Sequence, residues 1–386
     1  MNTGDPKIPG ATLYYMKTSV QVFLLALLVT APFSVFAEDT QMSHEYLEKA
    51  KVLSASPTIV KTLPGTSISS PHQTLTIEVL EGVDKGAIAN FDNDFTQLHA
   101  GDLFYVRHTV GGFDPETWAV SDPYRLNVLI GLAGVFVLLL FLFGGVQGVR
   151  GLVSLLGSLV LIFYLLLPGI YAGFSPILVS IGVSSLIIIV GSYITHGFNR
   201  TTTIAMASMI LTIVVVGAAT YFVIHAASLS GFTTEENAYL NFATRGKISM
   251  VGLLFGGIMI GLLGVLYDIA IGQAIAVEEL VSAAAHYTRA QILRRAMRIG
   301  REHIGALVNT LAIAYVGAAL PLLLLFKQAD TSVAYIINSE RFATEIIRIL
   351  MGSSGLVLAV PITTLLATAF LHGRAPRTDA AHSHGH

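Results

Sequence analysis

The sequence predicts a membrane protein in which a small extracytoplasmic β domain precedes an all-α bundle of about seven transmembrane helices. The composition is the first observation, since 53% of the 386 residues are hydrophobic and 12% are charged, about half the charge of an ordinary soluble domain. The second is a charge split: residues 38–125 hold 13 acidic and 6 basic side chains, whereas residues 126–386 hold 10 and 14. The third is a series of apolar runs after residue 126 that are long enough to cross a bilayer.

Charge and motif content exclude several classes of function. A net charge of −2 is unlike that of a basic nucleic-acid-binding domain, so no nucleic-acid partner is expected. The absence of cysteine excludes disulfides, thiolate metal sites and cysteine catalysis. Residues 352–355 have the Gly-Ser-Ser-Gly shape of an intramembrane serine protease element, but no later span offers a histidine base, and helix packing is the preferred interpretation. We therefore expect neither an enzyme nor a cofactor.

Residues 1–37 resemble a leader followed by a secretory signal peptide. Lys17 precedes an apolar run from Val20 to Val29, and small residues end at Ala37 ahead of an acidic pair, which is the order of a cleavable signal. Cleavage is predicted after Ala37. The alternative is a retained first transmembrane helix, although the run is short for a span of about 30 Å.

Residues 38–125 show the pattern of a small β domain. Residues 41–53 could form a short helix. Beyond them Leu75, Ile77 and Val79 alternate with polar neighbours, as do Phe104 and Val106 in a later run, and a period of two is typical of half-buried strands. About five antiparallel strands are predicted, in a domain small enough to lean on the membrane or on an envelope protein partner.

The helical region, residues 126–371, contains seven predicted spans. They lie at about 127–147, 151–169, 175–195, 202–226, 248–270, 305–326 and 346–371. With the β domain outside, the inner loops and tail hold nine Lys and Arg residues and the outer loops five, in agreement with the positive-inside rule. The tail, residues 372–386, is then cytoplasmic.

The fifth predicted span carries the most specific local pattern. Gly257, Gly261, Gly264, Asp268 and Gly272 follow one another at spacings of four, three, four and four, which places them on one helix face. Small residues allow a neighbouring helix to approach closely, so Asp268 is expected in a packed interface. An ionisable residue inside a membrane favours a functional role, but a simple interhelical hydrogen bond is the alternative.

Polar residues on the last two spans could join Asp268. Asn309 and Thr310 lie at a depth similar to that of Asp268 if both helices are straight, and Thr363 and Thr364 follow Pro361 in the inner half of the seventh span. Pro361 would kink its helix and free a carbonyl group one turn earlier, and Pro321 would kink or end the sixth span. The set suits a proton or hard-cation relay, or alternatively a group of interhelical hydrogen bonds.

The segment from Gly272 to Glu302 is predicted to be an amphipathic cytoplasmic helix. Ile292, Met297 and Ile299 would supply its apolar side, and its basic side would consist of Arg294, Arg295, Arg298 and Arg301. Such a helix could lie on the inner leaflet and contact anionic lipid. The alternative is basic charge that only sets orientation.

Three histidines end the chain at His382, His384 and His386. Imidazoles at this spacing could hold zinc, copper or nickel weakly. A terminus without supporting hydrogen bonds is more often an incidental metal-binding tract than a site.

The second half of the chain carries an ordered series of motifs: Gly264-Val-Leu-Tyr-Asp268, Gly300-Arg-Glu-His-Ile-Gly305, Asn309-Thr through Pro321, and Ser354-Gly-Leu-Val-Leu-Ala-Val-Pro361. This series resembles the YibE/F family of multispanning bacterial membrane proteins. With weaker matches upstream, the resemblance covers roughly residues 74–371. It implies an extracytoplasmic β domain ahead of a helical domain in the bacterial cytoplasmic membrane, and it implies no particular chemistry. Glu302 stands where the family pattern leads us to expect Asp.

Two functions remain open from the sequence. A transporter for a small ion or solute is favoured by Asp268 on a glycine-lined face and by its polar neighbours, with an inorganic cation or a proton as the expected ligand. An envelope assembly, signalling or accessory protein is the alternative, in which the β domain binds a partner. The absence of an inverted repeat argues against many transporter folds.

Overall fold

A computed structural model describes residues 44–62, 69–111, 116–284, 286–328 and 330–372. The chain divides into two compact units, one within residues 32–143 and the other within residues 144–386. The predicted signal peptide, its cleavage after Ala37, and the tail histidines His382, His384 and His386 lie outside the described residues.

The first unit contains an antiparallel sheet with the strand order β2-β3-β1-β5-β6, and β4 pairs with β3. Its strands are β1 (His44–Ala55), β2 (Ile59–Thr62), β3 (Ser69–Val79), β4 (Ile88–Asn93), β5 (Leu103–Val110) and β6 (Thr117–Pro123). The described residues therefore form six strands, one more than the sequence predicted. The short helix considered for residues 41–53 is wrong, because this segment forms β1, with Glu48, Ala50 and Val52 alternately buried.

Alternating apolar residues form the core of this sheet. Leu75, Ile77, Phe104 and Val106 are all fully buried, together with Val52 of the neighbouring strand. Each belongs to a run whose intervening residues point outward, as a period of two requires. The strand alternation read from the sequence is confirmed.

The outer face of the sheet contacts Tyr124, two residues before the first helix begins. Lys49 Nζ lies 3.4 Å from Glu81 Oε1 and 4.3 Å from the ring centroid of Tyr124. Partial burial lowers the pKa of Lys49, but the hydrogen bond and charge of Glu81 outweigh it, so the pKa is raised. Tyr124 also donates its backbone N–H to Leu103 O at 2.9 Å, so strand and helix start are joined directly.

The helical elements follow without further strands in the described part of the chain. They are α1 (Leu126–Leu161), a π-helical turn (Ile162–Leu166), α2 (Leu167–Tyr171), α3 (Pro176–His196), α4 (Arg200–Ala226), α5 (Glu235–Ala243), α6 (Met250–Ala283), α7 (Arg289–Ala318), α8 (Leu320–Gln328), α9 (Val333–Asn338) and α10 (Glu340–Leu371).

Within the described residues, five helices are long and apolar enough to cross a membrane, or six if the bent pair α7 and α8 counts as one span. The first two predicted spans fall in a single helical stretch, Leu126–Tyr171. This stretch contains Gly145 with φ 51° and ψ −140°, a left-handed conformation that favours glycine. At 1.5 Å per residue, its 46 residues supply a combined helical rise of about 69 Å on the two sides of Gly145, roughly twice a bilayer core. The apolar helices suggest a membrane protein, and the number of crossings stays a prediction.

The second unit is built around α6 and α10. The helix α10 packs against α4, α6 and α7, and α6 also contacts α3, α4 and α7. The core contains Phe255, Met259 and Leu266 of α6 with Met209 of α4, all almost completely buried. Small residues permit this packing: a Cβ on Gly256 would lie 2.5 Å from Ser180 Oγ.

The predicted separate amphipathic helix is not formed. The helix α6 continues to Ala283, a turn follows, and α7 begins at Arg289 behind a capping box between Thr288 and Gln291. The capping box satisfies backbone N–H groups that would otherwise lack partners, so the polar segment is divided at this point.

The two prolines singled out in the sequence behave differently. α7 and α8 meet at an angle of 62°, and Pro321 occupies the first turn of α8, where a missing N–H is tolerated. Pro361 lies inside α10, which continues through it as a helix.

Replacement of Phe104 by Ala should lower the free energy of unfolding of the β domain by roughly 3–5 kcal/mol, because it removes a fully buried aromatic ring. Trp118 is the chain's one tryptophan and stacks on His108, so its fluorescence reports denaturant unfolding of the full-length protein. Tyr105→Ala, on the exposed side of the same strand, is the matched control and should change the value by about 1 kcal/mol or less. Equal losses in both variants would contradict the assigned core.

Candidate functional site

The glycine face of α6 lies open. Gly257, Gly261, Gly264, Asp268 and Gly272 are all exposed, and a Cβ placed on Gly257, Gly264 or Gly272 would meet no described atom within 4 Å. The five residues share one face, as their spacing predicted. The expectation that this face packs closely against a neighbouring helix is not met over most of its length among the described residues, where only Gly261 has a neighbouring helix close by.

Asp268 is consequently exposed and not buried in an interface. No hydrogen bond or ion pair of the described residues involves its carboxylate. It lies near the middle of α6, a helix apolar enough to span a membrane. A carboxylate at such a position is unfavourable in lipid unless it is protonated, paired or hydrated.

Tyr315 of α7 borders the same face. Its hydroxyl would lie 2.6 Å from a Cβ on Gly261, so the absence of a side chain at Gly261 makes room for the phenol. The two helices are antiparallel, and Gln273 of α6 bonds to Ala296 of α7 further along. Between these two contacts, Asp268 lies level with about residue 305 of α7.

Asn309 and Thr310 are exposed on α7, roughly one turn from the level of Asp268. Thr310 Oγ1 donates to Ala306 O of its own helix at 3.0 Å. No hydrogen bond joins either residue to Asp268 in the described structure. The two helices thus present polar groups on open faces without bringing them into contact.

Thr363 and Thr364 belong to a different environment, the interior of the bundle. Both are fully buried. Thr364 Oγ1 donates to Val360 O at 2.6 Å and accepts from Gln273 Nε2 at 2.8 Å, while Gln273 Nε2 also donates to Ala296 O at 2.9 Å. Since Gln273 lies about 140° around α6 from Asp268, the interhelical network of Thr364 is apart from the carboxylate, and Thr363 Oγ1 is buried without a hydrogen-bond partner among the described residues.

The sequence reading missed Gln273, which joins α6, α7 and α10. Its side chain is 2% exposed. A single amide in an apolar helix is a weak signal, but its spacing of five from Asp268 already places it on another face.

The four arginines Arg294, Arg295, Arg298 and Arg301 are exposed along α7. Ile292, from the predicted apolar side, is buried with Val277 and Ala367, and Met297 packs against the main core. The apolar side therefore contacts protein and not lipid, with only Ile299 left exposed.

A histidine clamp in the β domain was not predicted. His108 is 4% exposed, with Nδ1 2.5 Å from Asp84 Oδ2 and Nε2 2.7 Å from Glu116 Oε1. Its ring stacks on Trp118 at 3.8 Å. The clamp ties the β3–β4 loop to the start of β6. In the sequence, only the position of His108 in an alternating strand indicated that its side chain would be buried.

The described residues place no metal-binding group around Asp268. Among the residues described, no three His, Asp or Glu side chains are placed to hold a metal ion. A cavity of about 290 Å³ lies between the N-terminal ends of α3 and α6, lined in part by Pro176, Lys247 and Gly252. Gly252 is sixteen residues from Asp268, about 24 Å along α6.

Gly300→Ala and Gly264→Ala should differ sharply in stability. A Cβ on Gly300 would overlap Val360 Cγ1 and lie 2.9 Å from Gln273 Oε1, and the branched Val360 has little freedom to move. The expected loss is about 1–3 kcal/mol, measured as unfolding free energy of the full chain in mixed micelles. Gly264→Ala, on the open face, should stay within about 0.5 kcal/mol. A comparable loss for Gly264→Ala would show that the open face is covered.

Comparison with known proteins agrees with the motif series. A model of the YibE/F-like protein family matches residues 132–373, which is more than half of the chain and confirms the resemblance over the helical region. The family model does not match the sheet, whereas the motif resemblance was traced upstream into the sheet as far as about residue 74. No curated protein and no solved structure matches the chain. On the strength of the family match, the chain belongs to the YibE/F-like family.

Proposed function

We propose that this protein is a permease for a small cation, with Asp268 as its charged group. The observation that carries the proposal is the exposed, unpaired carboxylate of Asp268 on the open face of α6. Glycines above and below it leave a shallow channel floor without side chains. Asn309 and Thr310 add neutral polar groups on the adjacent helix.

The open face of α6 is poorly suited to contact with lipid. Large apolar side chains suit lipid contact, and α1 exposes Phe136, Leu138 and Leu142 in this way. The face of α6 exposes glycine and a carboxylate instead. Moving such a carboxylate into hydrocarbon is unfavourable by about 2.5–3.5 kcal/mol or more. A hydrated path along the face would remove that penalty.

The chemistry of the site favours a proton or a monovalent cation. Divalent calcium prefers six to eight oxygen ligands, usually with several carboxylates. Asp268 is not joined by a second His, Asp or Glu in a metal-binding group of the described residues. A single carboxylate is sufficient to accept and release a proton.

The proposed orientation places the β domain outside the bacterial cytoplasmic membrane and the C-terminus inside. It rests on the excess of Lys and Arg in the loops assigned to the inner side. The exposed arginines at the start of α7 contribute most of that excess. Export of the N-terminal region by the predicted signal peptide would give the same orientation.

Asp268→Asn should abolish cation or proton flux in liposomes containing the purified protein, because the amide neither ionises nor accepts a proton near neutral pH. Fluorescent reporters of pH and of monovalent cations inside the vesicles give the rate. The matched control is Glu279→Gln, three turns further along the same exposed face of α6, which should retain flux. Unchanged flux in Asp268→Asn, or no flux in the unaltered protein, would refute the permease assignment for the ions tested.

A second candidate function is an envelope accessory protein whose β domain binds a partner. Ile59 and Val60, adjacent in β2, are 62% and 69% exposed, and such side chains are unusual in a short strand facing water. An extended segment of another protein could pack against them.

A photo-crosslinking residue at Val60 should capture a discrete protein in living cells if this second function holds. The same residue at Lys51, exposed on β1, serves as the control and should give no adduct of that mass. Identical adducts at both positions, or none at Val60, would argue against a partner at β2. The measurement does not involve Asp268, so it separates the two functions.

A further inference from the structure

Four arginines at the start of α7 form what we call the arginine face: Arg294, Arg295, Arg298 and Arg301. All four are exposed. Across the described ranges of the chain, none of them forms an ion pair with a carboxylate. Unpaired guanidinium groups at this density retain their full capacity to bind an anion, since each presents five N–H donors.

The segment that carries the arginine face is held against the bundle by its other side. Ile292 and Ala296 are buried with Val277 of α6 and Ala367 of α10. Gly300, also buried, lies close to Val360 and Gln273. The segment is therefore fixed in place, and its apolar side chains are not available to insert into lipid.

Two contacts place the arginine face at the end of the apolar helices. The guanidinium of Arg295 lies 4.5 Å from the ring centroid of Tyr287. The backbone carbonyl of Tyr287 accepts a hydrogen bond from His372 Nε2 at 2.9 Å, and His372 directly follows the last residue of α10. Since α10 is one of the candidate spans, Arg295 lies where that span ends, and Arg301 lies six residues further along α7, next to Gly300.

We propose that the arginine face binds the phosphate groups of anionic phospholipids at the membrane surface. Guanidinium groups bind phosphate oxygens through paired, charge-assisted hydrogen bonds. The proposal depends on the membrane location that the apolar helices suggest, but not on transport through Asp268. It also differs from a purely topological role for the charge, which requires no bound lipid.

The test is the thermal unfolding of the full-length protein in detergent, titrated with short-chain phosphatidylglycerol or with phosphatidylcholine of equal chain length. Phosphatidylglycerol should stabilise the unaltered protein and phosphatidylcholine should not. Each arginine replaced by glutamine should weaken the apparent affinity about fivefold, which corresponds to about 1 kcal/mol for each basic side chain.

Two further variants separate lipid binding from folding and topology. A variant with all four arginines changed to lysine keeps the positive charge and hence the insertion, but it should bind phosphatidylglycerol more weakly because lysine lacks the paired donors. Arg341→Gln with Lys327→Gln, exposed near the other end of α10, should leave the titration unchanged.

Three outcomes would overturn the proposal. The first is undiminished stabilisation in the single glutamine variants or in the four-lysine variant. The second is equal stabilisation by phosphatidylcholine, which would indicate a general lipid effect. The third is equal stabilisation by inorganic phosphate, which would indicate a site for a free anion.

Discussion

The helical unit depends on close packing against α6. Four long helices contact it, and the contacts require small or fully buried side chains, such as Gly256 beside Ser180. In the membrane that the apolar helices suggest, apolar side chains gain little by leaving lipid, so close contact and interhelical hydrogen bonds must hold the helices together. The Gln273 network supplies such bonds where α6, α7 and α10 meet. The open face of α6 exists because the other sides are already occupied.

The sequence predicted which residues share a face but not where that face points. A spacing of three and four placed Asp268 with the glycines correctly, because helical periodicity is a local property. Whether neighbours cover the face depends on the other helices, and small residues are expected both in packed interfaces and along open paths. Thr363 and Thr364 were grouped with Asp268 by depth alone, whereas the structure separates them by their direction around the bundle. The sequence alone did not indicate how each helix is rotated about its own axis within the bundle.

In the β domain, alternation predicted the core residues of β3 and β5 because one face of the sheet is buried. It failed for β1, where Glu48 takes one of the buried positions, so that the apolar alternation of Ala50 and Val52 is too short to recognise. The clamp of His108 by Asp84 and Glu116 joins residues far apart in sequence, which no local pattern indicates. Helix boundaries near residues 272–302 were also misjudged, because the capping box at Thr288 lies inside a long polar run.

The position of α10 has a consequence for biosynthesis. It contacts α4, α6 and α7, yet it is made after all three, and its first residue, Glu340, accepts hydrogen bonds from the backbone of Ser230 and Gly231. The surfaces that it covers, including buried Leu262 beside Gly355, must therefore remain without their final neighbour while the ribosome completes the chain. Since a domain generally folds as a unit during synthesis, this bundle cannot complete its core until its last helix has been made. In a chain that stopped short of α10, the surfaces of α4, α6 and α7 that α10 normally covers would stay uncovered.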